Sequence, residues 1–83
     1  MKILYFAWLR EKAGIAQEEV APPDDVRTVA ELMGWLAQRS PRHEQAFANA
    51  KLVRCAVDQE FVGLDAPIGA AGEIAFFPPV TGG

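Results

Sequence analysis

The sequence predicts a two-layer α+β domain, a mixed sheet packed on one main helix. Three observations carry this prediction. Apolar and aromatic residues run at strand spacing near both ends of the chain, in residues 2–9 and 73–77. One segment, from Thr28 to Leu36, places apolar residues at helical spacing behind a capping signal. The order strand, strand, helix, strand, short strand, strand lets the first strand lie beside the last, with the helix in the crossover.

Taken in order, residues 2–9 read as a strand that is apolar on both faces. Ile3, Tyr5, Ala7 and Leu9 occupy one face, and Leu4, Phe6 and Trp8 the other. Such a strand is central in a sheet or covers a second surface. Gly14 marks a turn, Gln17 to Ala21 is the returning strand, and Pro22-Pro23-Asp24-Asp25 ends it. Thr28-Val29-Ala30-Glu31 matches a capping box: the threonine hydroxyl accepts from a backbone N–H three residues on, and the glutamate reaches back. Val29, Leu32, Met33 and Leu36 then form one apolar stripe. Gly34 inside that helix costs about 1 kcal/mol relative to alanine, so packing must hold the helix. Pro41 closes it. His43 to Ala50 forms a second short helix or turn. Leu52 to Val57 reads as a strand, Asp58-Gln59 as a tight turn and Glu60 to Val62 as a short partner strand. Asp65 to Gly72 is loop, and Glu73 to Phe77 is the last strand, ended by Pro78-Pro79.

With 83 residues the chain makes one small core. Its 51% hydrophobic and 23% charged residues are globular in composition and argue against disorder. A net charge of −3 argues against nucleic acid, whose phosphates need a basic footprint. The apolar run at the start is too short to span a membrane and is followed by no small-residue cleavage site, which predicts a cytoplasmic location. The single cysteine makes neither an internal disulfide nor a cysteine-based metal site.

Motifs for self-contained chemistry are missing. The sequence has no G-x-x-x-x-G-K-[ST] phosphate loop and no G-x-G-x-x-G. His43 alone builds no histidine metal site and is expected at the surface. Cys55 alternates with Val53 and Val57, and is read as a small buried hydrophobe rather than a persulfide carrier. The domain is therefore not expected to be catalytic alone.

The informative segment is EIAFFPPVTGG, residues 73–83. An apolar strand runs directly into Pro78-Pro79, which stiffen the exit and prevent further ladder pairing. Residues 1–78 then form the domain and 79–83 a flexible tail. Five residues from Pro79 reach at most about 17 Å. Gly82 and Gly83 lack a Cβ, so the terminal backbone can thread a narrow channel and a nucleophile can reach the carbonyl.

On FAWLRE (6–11), TVAEL (28–32), AVDQE (56–60) and GEIAFFPPVTGG (72–83), the whole chain resembles the sulfur-carrying small subunits of molybdopterin synthases, within the ubiquitin-like β-grasp family. The resemblance implies a β-grasp fold with a mixed sheet of about five strands. It implies that Gly83 is adenylated by an activating enzyme using ATP and converted to a thiocarboxylate with sulfur from a persulfide donor. It implies that Pro79, Val80, Thr81 and Gly82 then insert into the large subunit, where the sulfur passes to cyclic pyranopterin monophosphate. Two copies and a dimer of large subunits would form a heterotetramer. No cofactor is implied for this chain itself. Asp58 departs from the asparagine more usual in the family, and Ala71-Gly72-Glu73 lacks an aspartate often found there.

The strand pattern adds a partner surface. Ile74 and Phe76 facing the core leave Ala75 and Phe77 on the other side. Phe6 and Trp8 are expected to share that side, with Phe61 joining from the short strand and Arg10 at the rim. Three other readings stay open: a carrier for thiamine-thiazole synthesis, a ubiquitin-like protein modifier, and an interaction module with an inert tail.

Overall fold

In the computed structural model, which describes residues 1–79, the sheet is built around its last strand. The five strands are β1 (Lys2–Tyr5), β2 (Gln17–Glu19), β3 (Arg54–Val57), β4 (Glu60–Val62) and β5 (Glu73–Phe77). Their order is β2-β1-β5-β3-β4. β5 runs parallel to β1 and antiparallel to β3. This is the α+β β-grasp arrangement. Helices cover one face, and the core there includes Ile3, Leu9, Leu32, Leu36, Ile74 and Phe76.

The first strand is shorter than the sequence predicts. It ends at Tyr5, and Ala7–Ala13 form helix α1. Ala7 takes a left-handed conformation (φ 53°) as the chain turns out of the sheet. Because nearly every residue from Ile3 to Leu9 is apolar, side alternation there cannot tell strand from helix. The deciding signals lie further on. Leu9 and Ala13, four apart, are both buried, and the segment holds mostly strong helix formers. Gly14 (φ 81°) then ends α1, donating its N–H to the Arg10 carbonyl at 2.9 Å.

Helix α2 (Val29–Ala37) begins with the predicted capping box. Thr28 Oγ1 accepts from the Glu31 N–H at 3.2 Å, and the Glu31 carboxylate accepts from the Thr28 N–H at 3.0 Å. The loop before β5 completes this end: the Ala30 and Val29 N–H groups donate to the carbonyls of Leu64 and Ala66 at 2.8 and 3.0 Å. Gly34 lies in mid-helix, with no atom within 4 Å of where a Cβ would stand.

Pro41 does not close α2, which ends at Ala37. It opens helix α3 (Pro41–Ala46), where a proline's fixed φ suits the first position and Ser40 supplies the cap. His43 is not at the surface either, being only 8% exposed. Its Nδ1 meets the Ser40 hydroxyl and its Nε2 meets the Glu18 carboxylate, each at 2.7 Å. The same Glu18 oxygen accepts from the Tyr5 hydroxyl at 2.6 Å, and Arg39 lies 3.8 Å from the other oxygen. One carboxylate on an edge strand thus ties together β1, β2 and α3. Burial opposes charge on Glu18, but the hydrogen bonds from Tyr5 and His43, with Arg39 nearby, outweigh it and hold the carboxyl below its ordinary 4.5. Burial, then the Glu18 hydrogen bond, push the Tyr5 phenol well above its ordinary 10, so Tyr5 is a donor here.

A 3₁₀ turn at Ala50–Leu52 delays β3, so Leu52 is not in the strand and stands 47% exposed. Asp58 and Gln59, with φ of 48° and 70°, make the two-residue turn between β3 and β4. Asp58 has a second duty. Its Oδ1 accepts from the N–H groups of Gly72 and Glu73, both at 3.0 Å, and so pins the start of β5. No helix among the described residues is long and apolar enough to cross a membrane.

Two outcomes follow from this packing. Gly34→Ala is expected to stabilise the domain by about 1 kcal/mol and raise Tm by about 4–8 °C, because an exposed helix position gains a better former at no steric cost. Glu18, with its folded value depressed, contributes stability above the ordinary carboxyl range that is lost as pH falls through its folded value. Thermal melts from neutral pH down to about pH 3 should show a steeper loss of Tm for the wild type than for Glu18→Gln. Parallel curves would remove Glu18 from the acid response.

Candidate functional site

The described chain ends where β5 ends, and the sheet register decides what surrounds that point. β5 is the central strand. On one side Arg54, at the start of β3, pairs with Phe77. On the other, Tyr5 pairs with Phe76, and the Phe6 N–H donates to the Phe76 carbonyl at 3.1 Å. The exit therefore lies at the edge where β1 turns into α1 and β3 begins. Pro78 and Pro79 leave the sheet there, both half-buried. Val80, Thr81, Gly82 and Gly83 lie outside the described residues.

The predicted alternation along β5 is present: Ile74 and Phe76 are buried under the helices, and Ala75 and Phe77 are half-buried on the open face. Register sets Leu4, Ala75, Ala56 and Phe61 side by side across four strands. Phe61 is 81% exposed, and its ring centroid is 5.5 Å from that of Phe77. A cleft of about 240 Å³ opens between them, lined by Arg54, Cys55, Phe61, Val62 and Phe77. Cys55 is 1% exposed, its thiol is 3.5 Å from the Val62 carbonyl, and burial pushes its pKa up. It is the small buried hydrophobe the sequence predicts, not an activated nucleophile.

Phe6 and Trp8 reach the exit edge by a different route from the one expected. They do not share a strand face with Phe77, because β1 has already ended. Phe6 precedes α1 and is 48% exposed. Trp8 lies on α1 in the helical layer, with the Lys12 ammonium 5.3 Å from its ring centroid. It lines a second cleft, of about 330 Å³, with Lys12, Gln45, Asn49 and Leu52. Arg10 is also on α1 but lines a separate shallow depression with Glu11, Gly14, Ile15 and Ala16. The structure thus brings Phe61 and Phe77 together on the sheet face and sets Phe6 and Trp8 on the helix side. Arg10 is not at the rim of the Phe61–Phe77 cleft.

Sequence reasoning missed Leu52, Lys12 and Arg54 in these surroundings. The signal was hidden because Leu52 and Arg54 read as one continuous strand and Lys12 was assigned to no element. Arg10, Lys12, Lys51 and Arg54 are all exposed on elements that meet at the exit edge. None makes an ion pair among the described residues. Asp58 and Glu73, with Glu19 beside Lys2, stand at the opposite end, where β1 and β5 begin. A chain of net charge −3 therefore presents four cations on these elements, with Glu11 on α1 as an exposed carboxylate among them. Among the described residues no group of three His, Cys, Asp or Glu side chains is placed to hold a metal ion. What the exit edge offers is apolar surface with exposed rings and a basic surround, the composition of a docking face.

The fold defines a ubiquitin-like β-grasp chain whose last strand is its central one. The chain belongs to the ThiS family, which matches residues 3–83. It is 43% identical, over all 83 residues and 99% of the relative's length, to the molybdopterin synthase sulfur carrier subunit of Escherichia coli K12. It is 35% identical, with the same coverage, to the subunit of that name from Haemophilus influenzae. Among solved structures it resembles SAMP1 of Haloferax volcanii, at TM-score 0.75 and 28% identity over 100% of this chain and 98% of that one. A second structure, of H. volcanii small archaeal modifier protein 1, gives TM-score 0.75 and 27% identity over 96% and 97% of the two chains.

Phe61→Ala is the sharpest probe of the docking face. A side chain this exposed is expected to change stability by no more than about 0.5 kcal/mol. Its loss should weaken association with a co-purifying partner by about ten- to a hundredfold, as for a central aromatic anchor. Unchanged affinity by calorimetry would remove the cleft from the interface.

Proposed function

We propose that this chain is the sulfur carrier of a molybdopterin synthase, acting by docking and delivering its terminal residue rather than by catalysis of its own. The observation that carries the reading is the end-to-end match to curated sulfur carrier subunits. The central place of the last strand, β5, supports it.

In this reading Gly83 is the reacting residue. A carboxylate is a poor electrophile, so it must first gain a leaving group. Its oxygen attacks the α-phosphorus of ATP on an activating enzyme, pyrophosphate departs, and an acyl-adenylate forms. The outer sulfur of a persulfide donor then displaces AMP, giving an acyl disulfide. A second thiol attacks the donor's sulfur in it, forming a disulfide with the donor and releasing the thiocarboxylate. That sulfur is a soft nucleophile, able to attack where a carboxylate oxygen does not. The tail, Pro79, Val80, Thr81 and Gly82, carries it into the large subunit, where it is transferred to cyclic pyranopterin monophosphate. ATP and pterin are bound by the partners, which accords with the missing phosphate loops in this sequence. Phe6, Trp8, Phe61 and Phe77 form the docking face, with Arg10 contributing from the outer side of α1. The assembly with the large subunit is a heterotetramer, and the site of action is the cytoplasm.

The test is by intact mass. Incubation with the cognate activating enzyme, ATP and a sulfur donor should exchange one oxygen of Gly83 for sulfur, and the mass should rise by the difference. Deleting Gly83, or adding one residue beyond it, should abolish the gain with Tm unchanged. A wild-type chain that gains no mass under conditions where the enzyme is demonstrably active would sink the reading.

A second reading draws on the similarity to small archaeal modifier protein 1. As a modifier, the chain would be joined through Gly83 to lysines of other proteins. Digests of cell extracts would then contain isopeptide-linked Gly83, which a pure sulfur carrier does not produce.

A further inference from the structure

Helix α1 carries much of the exit edge, yet little within it holds it in place. It has seven residues, far fewer than an isolated helix needs to persist in water. Its first residue is left-handed, and Phe6 supplies no side-chain cap. Leu9 and Ala13 are buried and fix how deep the helix sits. At its C-terminal end Gly14 satisfies only the Arg10 carbonyl. The next two carbonyls, of Glu11 and Lys12, would be left without helical partners.

Arg42, on α3, supplies them. Its Nη2 donates to the Glu11 carbonyl at 2.9 Å and its Nε to the Lys12 carbonyl at 3.1 Å. The planar guanidinium spans two adjacent acceptors in one fixed geometry, and its charge sits at the negative end of the helix dipole. Gly14 leaves room for it: a Cβ there would stand 2.7 Å from the guanidinium carbon. Arg42 is itself anchored, because α3 is held by the Ser40 cap at its start and by His43 on Glu18.

We propose that Arg42 is a positioning residue for tail activation: its fork on the Glu11 and Lys12 carbonyls sets the orientation of α1, and hence of Trp8 and Lys12, for the enzyme that receives this chain. The proposal rests on the sulfur-carrier reading and deepens it. Arg42 touches no reacting atom, so its effect is on recognition of the chain and not on the chemical step.

The experiment measures sulfur loading of the full chain by the activating enzyme, for wild type, Arg42→Ala, Arg42→Lys and Arg27→Ala. Arg27 lies away from the exit, beside Pro22 and Pro67, and controls for loss of one positive charge. Hydrogen exchange of the free proteins at the α1 and β5 amides is followed at a temperature well below Tm. Arg42→Ala is expected to raise KM for the carrier about tenfold, the scale of one hydrogen bond to a charged group, with kcat within about twofold. It should also speed exchange in α1 while β5 stays protected. Arg42→Lys keeps the charge but loses the fork, and should resemble Arg42→Ala. Arg27→Ala should match the wild type. A KM unchanged in Arg42→Ala, or restored in Arg42→Lys, overturns the proposal. So does faster exchange in β5 as well as α1, which would make Arg42 a general stabiliser. A wild-type chain that is never loaded overturns the sulfur-carrier reading instead, and the proposal with it.

Discussion

The parallel pairing of β1 with β5 is the constraint on which the rest of the structure depends. Two parallel neighbours cannot be joined by a tight turn, so the chain between them must cross over. Here the crossover contains three helices and three further strands, nearly the whole protein. The pairing makes the last strand central, held by β1 on one side and β3 on the other. A chain end that leaves a central strand departs from the best-fixed part of a small domain. It also emerges beside whatever follows β1 and precedes β3. That single register therefore explains why α1, the 3₁₀ turn and Arg54 surround the exit.

The two faces of this sheet are unequal. Under the helices, Phe76 meets Tyr5 and Phe47, with Phe47 edge-on at 5.0 Å and Tyr5 nearly parallel at 6.4 Å. These rings lock the residue just before Phe77. On the open face Phe61 is exposed and Phe77 half-buried, with no layer of described residues over them. The alternation of one strand thus sends one phenylalanine into the core and its neighbour to the open face. The Glu18 cluster belongs to the same economy of scale. A domain this small has little apolar surface to bury, and a satisfied carboxylate joining β1, β2 and α3 supplements it.

Features that rest on local backbone chemistry were legible in the sequence. The Thr28–Glu31 capping box, the Asp58-Gln59 turn and the inside–outside alternation of β5 are each fixed by a few neighbouring residues. What was not legible depends on distant partners. FAWLRE is apolar enough to satisfy either period, and α1 wins because Leu9 and Ala13 find the core and Arg42 finds the helix end. His43 looked like a surface residue because its two partners are Ser40 nearby and Glu18, twenty-five residues away. No spacing rule links an edge-strand glutamate to that histidine. Phe6 and Trp8 were expected on the open face beside Phe77, but the strand stops before them and they stand on the helix side instead.

A delivery arm and a catalytic site make opposite demands on a fold. Catalysis needs converging polar groups in a closed, low-dielectric pocket. Delivery needs a reacting group that can leave its own domain and enter another's pocket. A sulfur carrier, the role for which the curated relatives of this chain are named, faces the second demand. The thiol nearest the exit is buried and its pKa raised, so it does not compete as a nucleophile. The cations around the exit face outward and are unpaired with described acidic residues, so they remain free to meet a complementary surface. Two perturbed polar groups, Tyr5 and Glu18, are spent on holding strands and helices together. In many enzymes such perturbed groups mark the active site. Here they have a structural use, tying β1, β2 and α3 together through one shared carboxylate oxygen.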